Sequence, residues 1–338
     1  MLRRCGADAL LVIVFAAVLI GFAPRVSAQP YIPAAGEGTV SLAYHNIFTH
    51  GQLDTFGTQL ADSGGPREGT DSHGLLWYVE YGLSDRIAVH ASLPFIQTRY
   101  HGCCAHTIGL QGQPSNLDDG AYHGSLQDLY FGSRFKVLES ARFAVTPFVE
   151  VIIPSHHYES LGQAAVGRDL RAMVTGAAIG GFADNLLPGL HFQTRLSYAF
   201  VQKAVDIRPN RTAIDSAIGY FVTPRFAIDF VQTFQYTHDG VDWARPPGNL
   251  VLHDGRPLNR DYGLNHDRLA RSNALALGGG ASFAVTESVG VFGTVTKLAW
   301  GQNLPAPRSL VVGLNWSFKT GRSASRANPN LNRPAAFQ

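Results

Sequence analysis

A short segment of the chain combines two adjacent cysteines with two nearby histidines. In "YHGCCAHTIG" the candidate metal ligands are His101, Cys103, Cys104 and His106. Thiolate and imidazole groups are the ligands that Zn²⁺ and Cu⁺ prefer. Adjacent Cα atoms lie about 3.8 Å apart, below the usual disulfide range of roughly 4.4–6.8 Å, so a bridge between the two cysteines would be strained. Three interpretations stay open: a metal site, a vicinal disulfide that stiffens a loop, or free thiols.

The first 28 residues have the features of a secretion signal. Arg3 and Arg4 precede an apolar run over residues 9–22, and residues 26–28 (VSA) supply small side chains at the cleavage positions. We therefore predict a signal peptide over residues 1–28. Its removal takes away three arginines and one aspartate and lowers the formal net charge from +2 to zero. The balance leaves no basic footprint for nucleic-acid binding.

Most of the remaining chain alternates between apolar and polar residues with a period of two, the pattern of half-buried strands. In "LQDLYFGSRFKV", Leu129 and Phe131 fall on one face, and Asp128 and Arg134 fall on the other. The pattern predicts an all-β fold of twelve strands, over residues 38–48, 73–82, 86–98, 126–138, 143–154, 169–182, 189–202, 211–222, 226–238, 268–284, 289–300 and 309–318. No helical period competes over these windows.

The connections between the predicted strands alternate between short turns and longer loops. "LSDR", "VTPR" and "VTES" are short, whereas "DGVDWARPPGNLVLHDGRPLNRDYGLNH" is long. This alternation predicts a closed antiparallel up-and-down transmembrane β-barrel of about 12 strands, with the turns in the periplasm and the loops outside. A soluble β-sandwich also has alternating strands, but its connections need not alternate in length. Tyr81, Trp300 and Trp316 lie near predicted strand ends, as in the aromatic girdle of a membrane barrel.

The predicted barrel covers residues 29–318, and residues 319–338 form a tail that we predict to be disordered in the periplasm. The last strand, "LVVGLNWSF", places Leu310, Val312, Leu314, Trp316 and Phe318 on one face. It resembles the terminal-strand signal of bacterial outer-membrane barrels. The prediction is a protein of the bacterial outer membrane that contacts outer-membrane lipid, and whose last strand is recognised by the barrel-assembly machinery.

A closed barrel in lipid turns its polar face inward, because hydrocarbon satisfies no polar group. The predicted lumen-lining residues are Glu80, His90, Asp128, Arg134, Lys136, Glu150, Arg171, His191, Arg195, Asp215 and Asp229. Charges of both signs at close range pair across the interior and narrow it. A barrel of about twelve strands lies between the filled barrels of about eight and the open porins of about sixteen. The lumen is therefore predicted to be a narrow polar passage or a plugged one.

Three segments of the chain carry a recognisable pattern: "GLSDRIAVHASLPFI" (82–96), "SLQDLYFGSRFKV" (125–137) and "FAVTPFVEVIIPS" (143–155). They resemble a known family, the outer-membrane proteins associated with the meta-cleavage pathway of phenol degradation. The family shares this succession of a turn, a strand opening on a Gly-Asp-Leu step, and a strand ending in proline. Here Gln127 takes the place of that glycine. The resemblance implies a transporter-like barrel that passes small, often aromatic, molecules inward.

The sequence thus predicts a porin-like channel for passive uptake of a small-molecule permeant. The alternative is a non-conducting barrel whose long extracellular loops, which carry the Cys/His segment, bind a metal or another ligand. Residues 86–98 run outward from a periplasmic turn, which places "HGCCAH" outside the cell. "HDGVD" and "NHDR" hold residue types used by rim hydrolases, but no nucleophile lies at a readable spacing from them. We predict neither an enzyme nor a cofactor.

Overall fold

The computed structural model describes residues 30–59, 69–102, 116–140, 142–244, 249–256 and 259–320. The strands in these ranges are β1 Glu37–Leu53, β2 Gly69–Ser84, β3 Ile87–His101, β4 His123–Leu126, β5 Asp128–Phe135, β6 Leu138–Glu139, β7 Phe143–Pro154, β8 Ala172–Phe182, β9 Leu190–Val201, β10 Arg211–Thr223, β11 Phe226–Thr237, β12 Val241–Ala244, β13 Asn249–Leu252, β14 Asn273–Ala284, β15 Val289–Gln302 and β16 Leu304–Lys319. Two short helices are α1 Arg260–Leu264 and α2 His266–Leu269. No helix in the described ranges is long and apolar enough to cross a membrane.

The antiparallel sheet closes on itself. Its ring runs β1, β2, β3, β5, β7, β8, β9, β10, β11, β14, β15 and β16, and then returns to β1. The pairing that closes the ring extends from Glu37 opposite Lys319 to Leu53 opposite Leu304. β4 pairs with the outer part of β3, and β6 pairs with β7 beside the ring. The predicted closed up-and-down barrel of about 12 strands is confirmed by this ring of twelve.

Side chains alternate between an apolar outer wall and a more polar inner wall. On β2 the exposed residues include Leu75, Trp77 and Val79, whereas Tyr78 and Glu80 in the alternating positions are buried. The alternation arises because successive side chains of a strand point to opposite faces. Ring closure satisfies the hydrogen-bonding groups of the backbone within the sheet. Together with the apolar outer wall, this suits a hydrocarbon environment.

The predicted strand over residues 126–138 is divided into β4 and β5 at Gln127. Opposite this point lies Pro94 of β3, which has no backbone N–H to donate to the ladder. Pairing with β3 therefore stops at Leu126 and resumes at Tyr130. The Gln127 N–H instead donates to the Pro94 carbonyl at 2.9 Å.

The long connection between β11 and β14 is more ordered than the sequence predicted, and it contains the β12–β13 hairpin, α1 and α2. The strand predicted from residue 268 begins only at Asn273, because the preceding apolar residues belong to a separate cluster. That cluster is formed by Ile207, Val241, Leu252, Tyr262 and Leu269. These connections therefore have a small hydrophobic core of their own at the outer end.

The predicted loop over residues 301–308 is instead occupied by the ends of β15 and β16, with Asn303 between them. Asn303 is fully buried and has a φ of 54°, a left-handed conformation that asparagine tolerates. Its side-chain oxygen accepts hydrogen bonds from Thr55 Oγ1 at 2.8 Å and the Trp243 N–H at 2.9 Å. These bonds hold the turn against the neighbouring connections.

Candidate transport pathway

Five of the residues predicted to line the lumen meet in one buried layer. Arg134 Nη1 lies 2.5 Å from Glu80 Oε1, although β3 separates their strands. Glu150 Oε2 lies 3.2 Å from His90 Nε2 and 3.3 Å from Arg195 Nη2. All five side chains are at most 10% exposed. We call this set the central charged layer, and its two carboxylates balance its two guanidinium groups.

Aromatic rings flank the central charged layer. The Arg195 guanidinium carbon lies 4.1 Å from the centroid of the Phe148 ring, within the range of a cation–π interaction. The Tyr78 and His90 rings stack with centroids 5.9 Å apart. The layer therefore presents both charged and aromatic surface.

Two glycines make room for histidine–carboxylate pairs on the inner wall. In register, Gly132 lies between His90 and Glu150 across three strands, and a Cβ atom at Gly132 would lie 2.5 Å from the His90 ring. Gly219 lies in the same way between His191 and Asp229, whose Nε2 and Oδ1 atoms are 3.1 Å apart. Each pair spans a strand that has no side chain at that height.

Asp128 and Asp215 each lie on the inward series of positions of their own strand, and Asp128 is at the outer end of β5. Asp128 accepts a hydrogen bond from the Tyr158 hydroxyl at 2.5 Å. Asp215 is half-buried on β10, opposite Arg195 in the register. Asp128 therefore ties the β7–β8 loop to the wall.

Lys136 and Arg171 are placed differently from the other predicted lumen-lining residues. Lys136 follows the end of β5 and forms an ion pair with Glu139 at the periplasmic end. Arg171 precedes β8, and its side chain is exposed in the same alternating series as Met173. The structure does not bring Arg171 into the interior, because the inward series on β8 consists of even-numbered residues.

An apolar patch lines the interior next to the central charged layer. It is formed on β7, β8 and β9 by Phe148, Ile152, Ala172, Val174, Ala199 and Val201, with Leu170 from the β7–β8 loop. Tyr130 of β5 packs against the patch. The interior therefore has apolar as well as ionic surface, a combination that suits solutes with an aromatic body and a polar group.

The outer connections are joined to one another by hydrogen bonds. The Gly162 N–H donates to Asp267 Oδ2 at 2.9 Å, and the Ala164 N–H donates to Asp118 Oδ1 at 3.0 Å. These bonds connect the β7–β8 loop to the β11–β14 connection and to the β3–β4 loop. The loops therefore pack together at the outer end.

Arg168 gives this loop assembly a buried positive charge. Its Nη2 donates to Ser272 Oγ at 3.1 Å. Burial, followed by the nearby guanidinium of Arg211, lowers the pKa of Arg168 to about 9. Asp267 acts in the opposite direction and raises the pKa. At neutral pH the side chain is still protonated and contributes positive potential at the outer end.

Residues 30–36 enter the periplasmic end of the barrel ahead of β1, and we call them the N-terminal segment. The Thr146 hydroxyl donates to the Pro30 carbonyl, and the Tyr31 and Phe182 rings are 6.3 Å apart. These contacts on β7 and β8 lie across the ring from β1. The Gly36 N–H donates to the Gly82 carbonyl at 2.9 Å, which holds the other end of the segment beside β2.

The N-terminal segment also contacts the central charged layer. Arg134 Nη2 lies 3.5 Å from the Tyr31 carbonyl, and Ile32 is only 6% exposed. Sequence reasoning did not find this feature, because a single alternating pattern appeared to begin near residue 38. The proline pair at residues 30 and 33 was the available signal, since proline disfavours pairing within a sheet.

The Cys/His segment is described only in part. His101 ends β3, whereas Cys103, Cys104 and His106 lie outside the described residues. Within the described ranges, no group of three or more His, Cys, Asp or Glu side chains is placed to hold a metal ion. The metal-site interpretation of this segment stays a prediction.

Comparisons with known proteins support the architecture. No family model matches the chain, and no curated protein matches it. An outer membrane channel from Pseudomonas putida F1 has a similar structure, with a TM-score of 0.63 and 12% identity over 88% of this chain and 100% of that chain. The NanC porin has a TM-score of 0.44 and 11% identity, over 82% of this chain and 98% of that one. At 12% identity the similarity to the Pseudomonas putida channel shows a shared fold and nothing more. The TM-score of the NanC porin is too low to support a conclusion.

The fold places the protein in the bacterial outer membrane. A closed antiparallel barrel with an apolar outer wall is the strand-based solution to spanning a bilayer. The exposed Trp316 ring lies beside Phe318, with centroids 5.7 Å apart, and Tyr81 stacks on Phe318 at 6.4 Å. These rings form an aromatic girdle at the periplasmic end of the wall. The chain is an outer-membrane β-barrel.

Proposed function

We propose that this barrel is a channel for passive uptake of small molecules, aromatic compounds among them. The observation that carries the proposal is the layered interior, in which a charge-balanced layer lies next to an apolar patch. A layer with two carboxylates and two guanidinium groups favours neither ion sign strongly. The apolar patch offers dispersion contacts to a ring that has left water.

The N-terminal segment controls the width of the pathway in this proposal. It reaches Thr146 on the far side of the ring and contacts Arg134, so it occupies space through which a solute would pass. Its anchors are a few hydrogen bonds and ring contacts rather than a sheet ladder. Displacement of the segment therefore requires less rearrangement than displacement of a strand.

Planar-bilayer recording and liposome swelling test the proposal directly. We expect conductance from the parent protein, and a severalfold larger conductance when residues 30–35 are deleted from the mature chain. Swelling in neutral phenolic solutes should increase in the same variant. The control is Ala35→Ser, which retains the segment and its backbone contacts. Folded protein without conductance or solute entry in either form would instead support the non-conducting barrel.

Three finer features of the proposal rest on the sequence. We assign the chain to the phenol meta-pathway family on the segments at 82–96, 125–137 and 143–155. We also propose cleavage after Ala28 and recognition of β16 by the barrel-assembly machinery. Mass spectrometry of the mature protein tests the cleavage site. Growth and uptake on phenolic substrates, with and without the protein, test the family assignment.

A further inference from the structure

A row of mostly charged side chains crosses the outer wall over five adjacent strands. In register, the row consists of Lys297 opposite Arg308, Arg308 opposite Phe48, Phe48 opposite Asp71, and Asp71 opposite Arg99. The strands in order are β15, β16, β1, β2 and β3. We call these five residues the outer-wall row. Each belongs to the outward series of its strand, since at least one of the two positions beside it is buried and no member of the row is buried itself.

The height of the row places it at the outer boundary of the apolar wall. On β16, Arg308 lies eight residues outward from Trp316 of the periplasmic girdle. At about 3.3 Å per residue and a tilt of about 40°, this is about 20 Å along the membrane normal, close to the ~25 Å apolar band of such barrels. The outward residues between them are Leu310, Val312 and Leu314. The first charged residue of this series is therefore at the level of the outer headgroups.

The two cations of the row on β15 and β16 have no counter-ion within the described ranges of the chain. Lys297 and Arg308 are both exposed and lie directly opposite each other as the last registered pair between these strands. Like charges directly opposite in a sheet repel. Among the described residues, no carboxylate lies within ion-pair distance of either side chain. An external anion would offset this repulsion.

The acidic member of the row does not neutralise them. Asp71 is separated from Arg308 by Phe48, and its carboxylate accepts hydrogen bonds from Asn46 at 2.9 Å and Tyr122 at 2.8 Å. Arg99 stacks over the Tyr122 ring at 4.4 Å. Its buried Nε has no hydrogen-bond partner in the described part of the chain. The row thus carries three cations and one engaged carboxylate.

We propose that the outer-wall row binds the phosphate groups of lipopolysaccharide, the anionic glycolipid of the outer leaflet. Guanidinium groups bind phosphate oxygens through paired hydrogen bonds, and a lysine adds a point charge. Basic residues at a membrane surface recognise anionic lipids in this way. Phe48, between Arg308 and Asp71, supplies an apolar contact for the lipid. The row lies on the convex wall beside the membrane, which favours a lipid headgroup over a free anion.

Native mass spectrometry of the full mature protein, with added diphosphoryl or monophosphoryl lipid A, tests this site. We expect the parent to bind diphosphoryl lipid A more tightly than the monophosphoryl form. The Lys297→Gln/Arg308→Gln double variant should bind diphosphoryl lipid A roughly thirtyfold more weakly, from about 1 kcal/mol for each basic residue at an anionic surface. The control is Lys203→Gln/Arg256→Gln, which removes the same charge from exposed connections. Lys297→Arg should bind like the parent.

Each result has a defined meaning. Equal affinity of the parent and the row variant for diphosphoryl lipid A would overturn the proposal. Equal weakening by the control pair would also overturn it, because net charge would then explain the effect. Competition by millimolar inorganic phosphate alone would identify a free-anion site instead of a lipid site. Heat-modifiable gel mobility of every variant confirms that the compared proteins are folded barrels.

Discussion

At the scale of single residues, the interior is organised by pairing rather than by excess of one charge. Glu150 contacts both His90 and Arg195, so one carboxylate joins groups from three strands. Gly132 creates the gap that the His90–Glu150 pair bridges, and Gly219 creates the gap that the His191–Asp229 pair bridges. Two kinds of substitution therefore test the pairing on the inner wall: loss of a charge, and loss of a gap.

Replacing Glu150 by glutamine should shift ion selectivity toward anions. The central charged layer would then hold one carboxylate against two guanidinium groups, and its potential would become positive. The reversal potential in a KCl gradient across a planar bilayer measures the change. Glu139→Gln is the matched control, because it removes the same charge at the periplasmic end beside Lys136. Unchanged selectivity in Glu150→Gln would mean that ions do not pass this layer.

Replacing Gly219 by alanine should lower the free energy of unfolding by about 1–3 kcal/mol, the usual range for overpacking. The added Cβ would lie 2.1 Å from Asp229 Oδ1 and 2.3 Å from His191 Nε2, so the pair must separate. Denaturant unfolding in detergent micelles measures the effect. At Gly279 the nearest atom to an added Cβ is 3.5 Å away, so Gly279→Ala should be nearly neutral. Similar losses for both variants would contradict this account.

At the scale of elements, the connections decide access to the barrel from both ends. The β7–β8 loop is tied to β5 by Tyr158, whose hydroxyl donates to Asp128 and accepts from the Asp169 N–H at 3.0 Å. Burial and the Asp128 carboxylate raise the pKa of Tyr158, so its hydroxyl stays protonated as a donor. At the periplasmic end, the N-terminal segment is held by contacts with Thr146, Phe182, Arg134 and Gly82.

Replacing Tyr158 by phenylalanine should loosen the β7–β8 loop. A hydrogen bond to a charged group contributes about 1.5–3 kcal/mol, enough to raise the open population about tenfold or more. Limited trypsin digestion of the folded protein should then cleave faster after Arg168 or Arg171, as followed by mass spectrometry. Tyr220→Phe, on the outward series of β10, serves as the control. Parent-like digestion would show that Tyr158 does not hold the loop.

At the scale of the whole molecule, stability depends on closure of the ring. The pairing of β1 with β16 removes both free edges of the sheet, and in lipid an open edge would leave backbone groups unsatisfied. Strand pairing is therefore collective, since one broken ladder exposes two edges. In water the apolar outer wall is unfavourable, because it has no lipid to contact.

Replacing Leu314 by proline should prevent formation of the closed barrel. Proline cannot donate a ladder hydrogen bond, and Leu314 is paired on both sides, with Leu42 and Val291. Gel mobility of boiled and unboiled samples is the measurement: the parent should shift and the proline variant should not. Leu314→Val retains the apolar outer position and should shift like the parent. A normal shift in the proline variant would mean that the seam tolerates a missing bond.

The sequence by itself determined the fold class, the strand number and most of the strand positions. Alternation is a local property, and lipid allows only a closed arrangement of alternating strands. The same logic identified Glu80, His90, Arg134, Glu150 and Arg195 as inward residues before their partners were known. It placed Arg171 inward, whereas Arg171 continues the odd-numbered outward series of β8 that includes Met173.

Only the tertiary structure decided which distant residues meet. The ion pair of Arg134 with Glu80 depends on the curvature of the ring, which brings strands that are not neighbours together on the concave side. Ring closure and register also decided that Lys297 and Arg308 share a row with Phe48 near the start of the chain. The N-terminal segment crosses the mouth through single contacts with no period. Such contacts join residues far apart in sequence, so local patterns do not encode them.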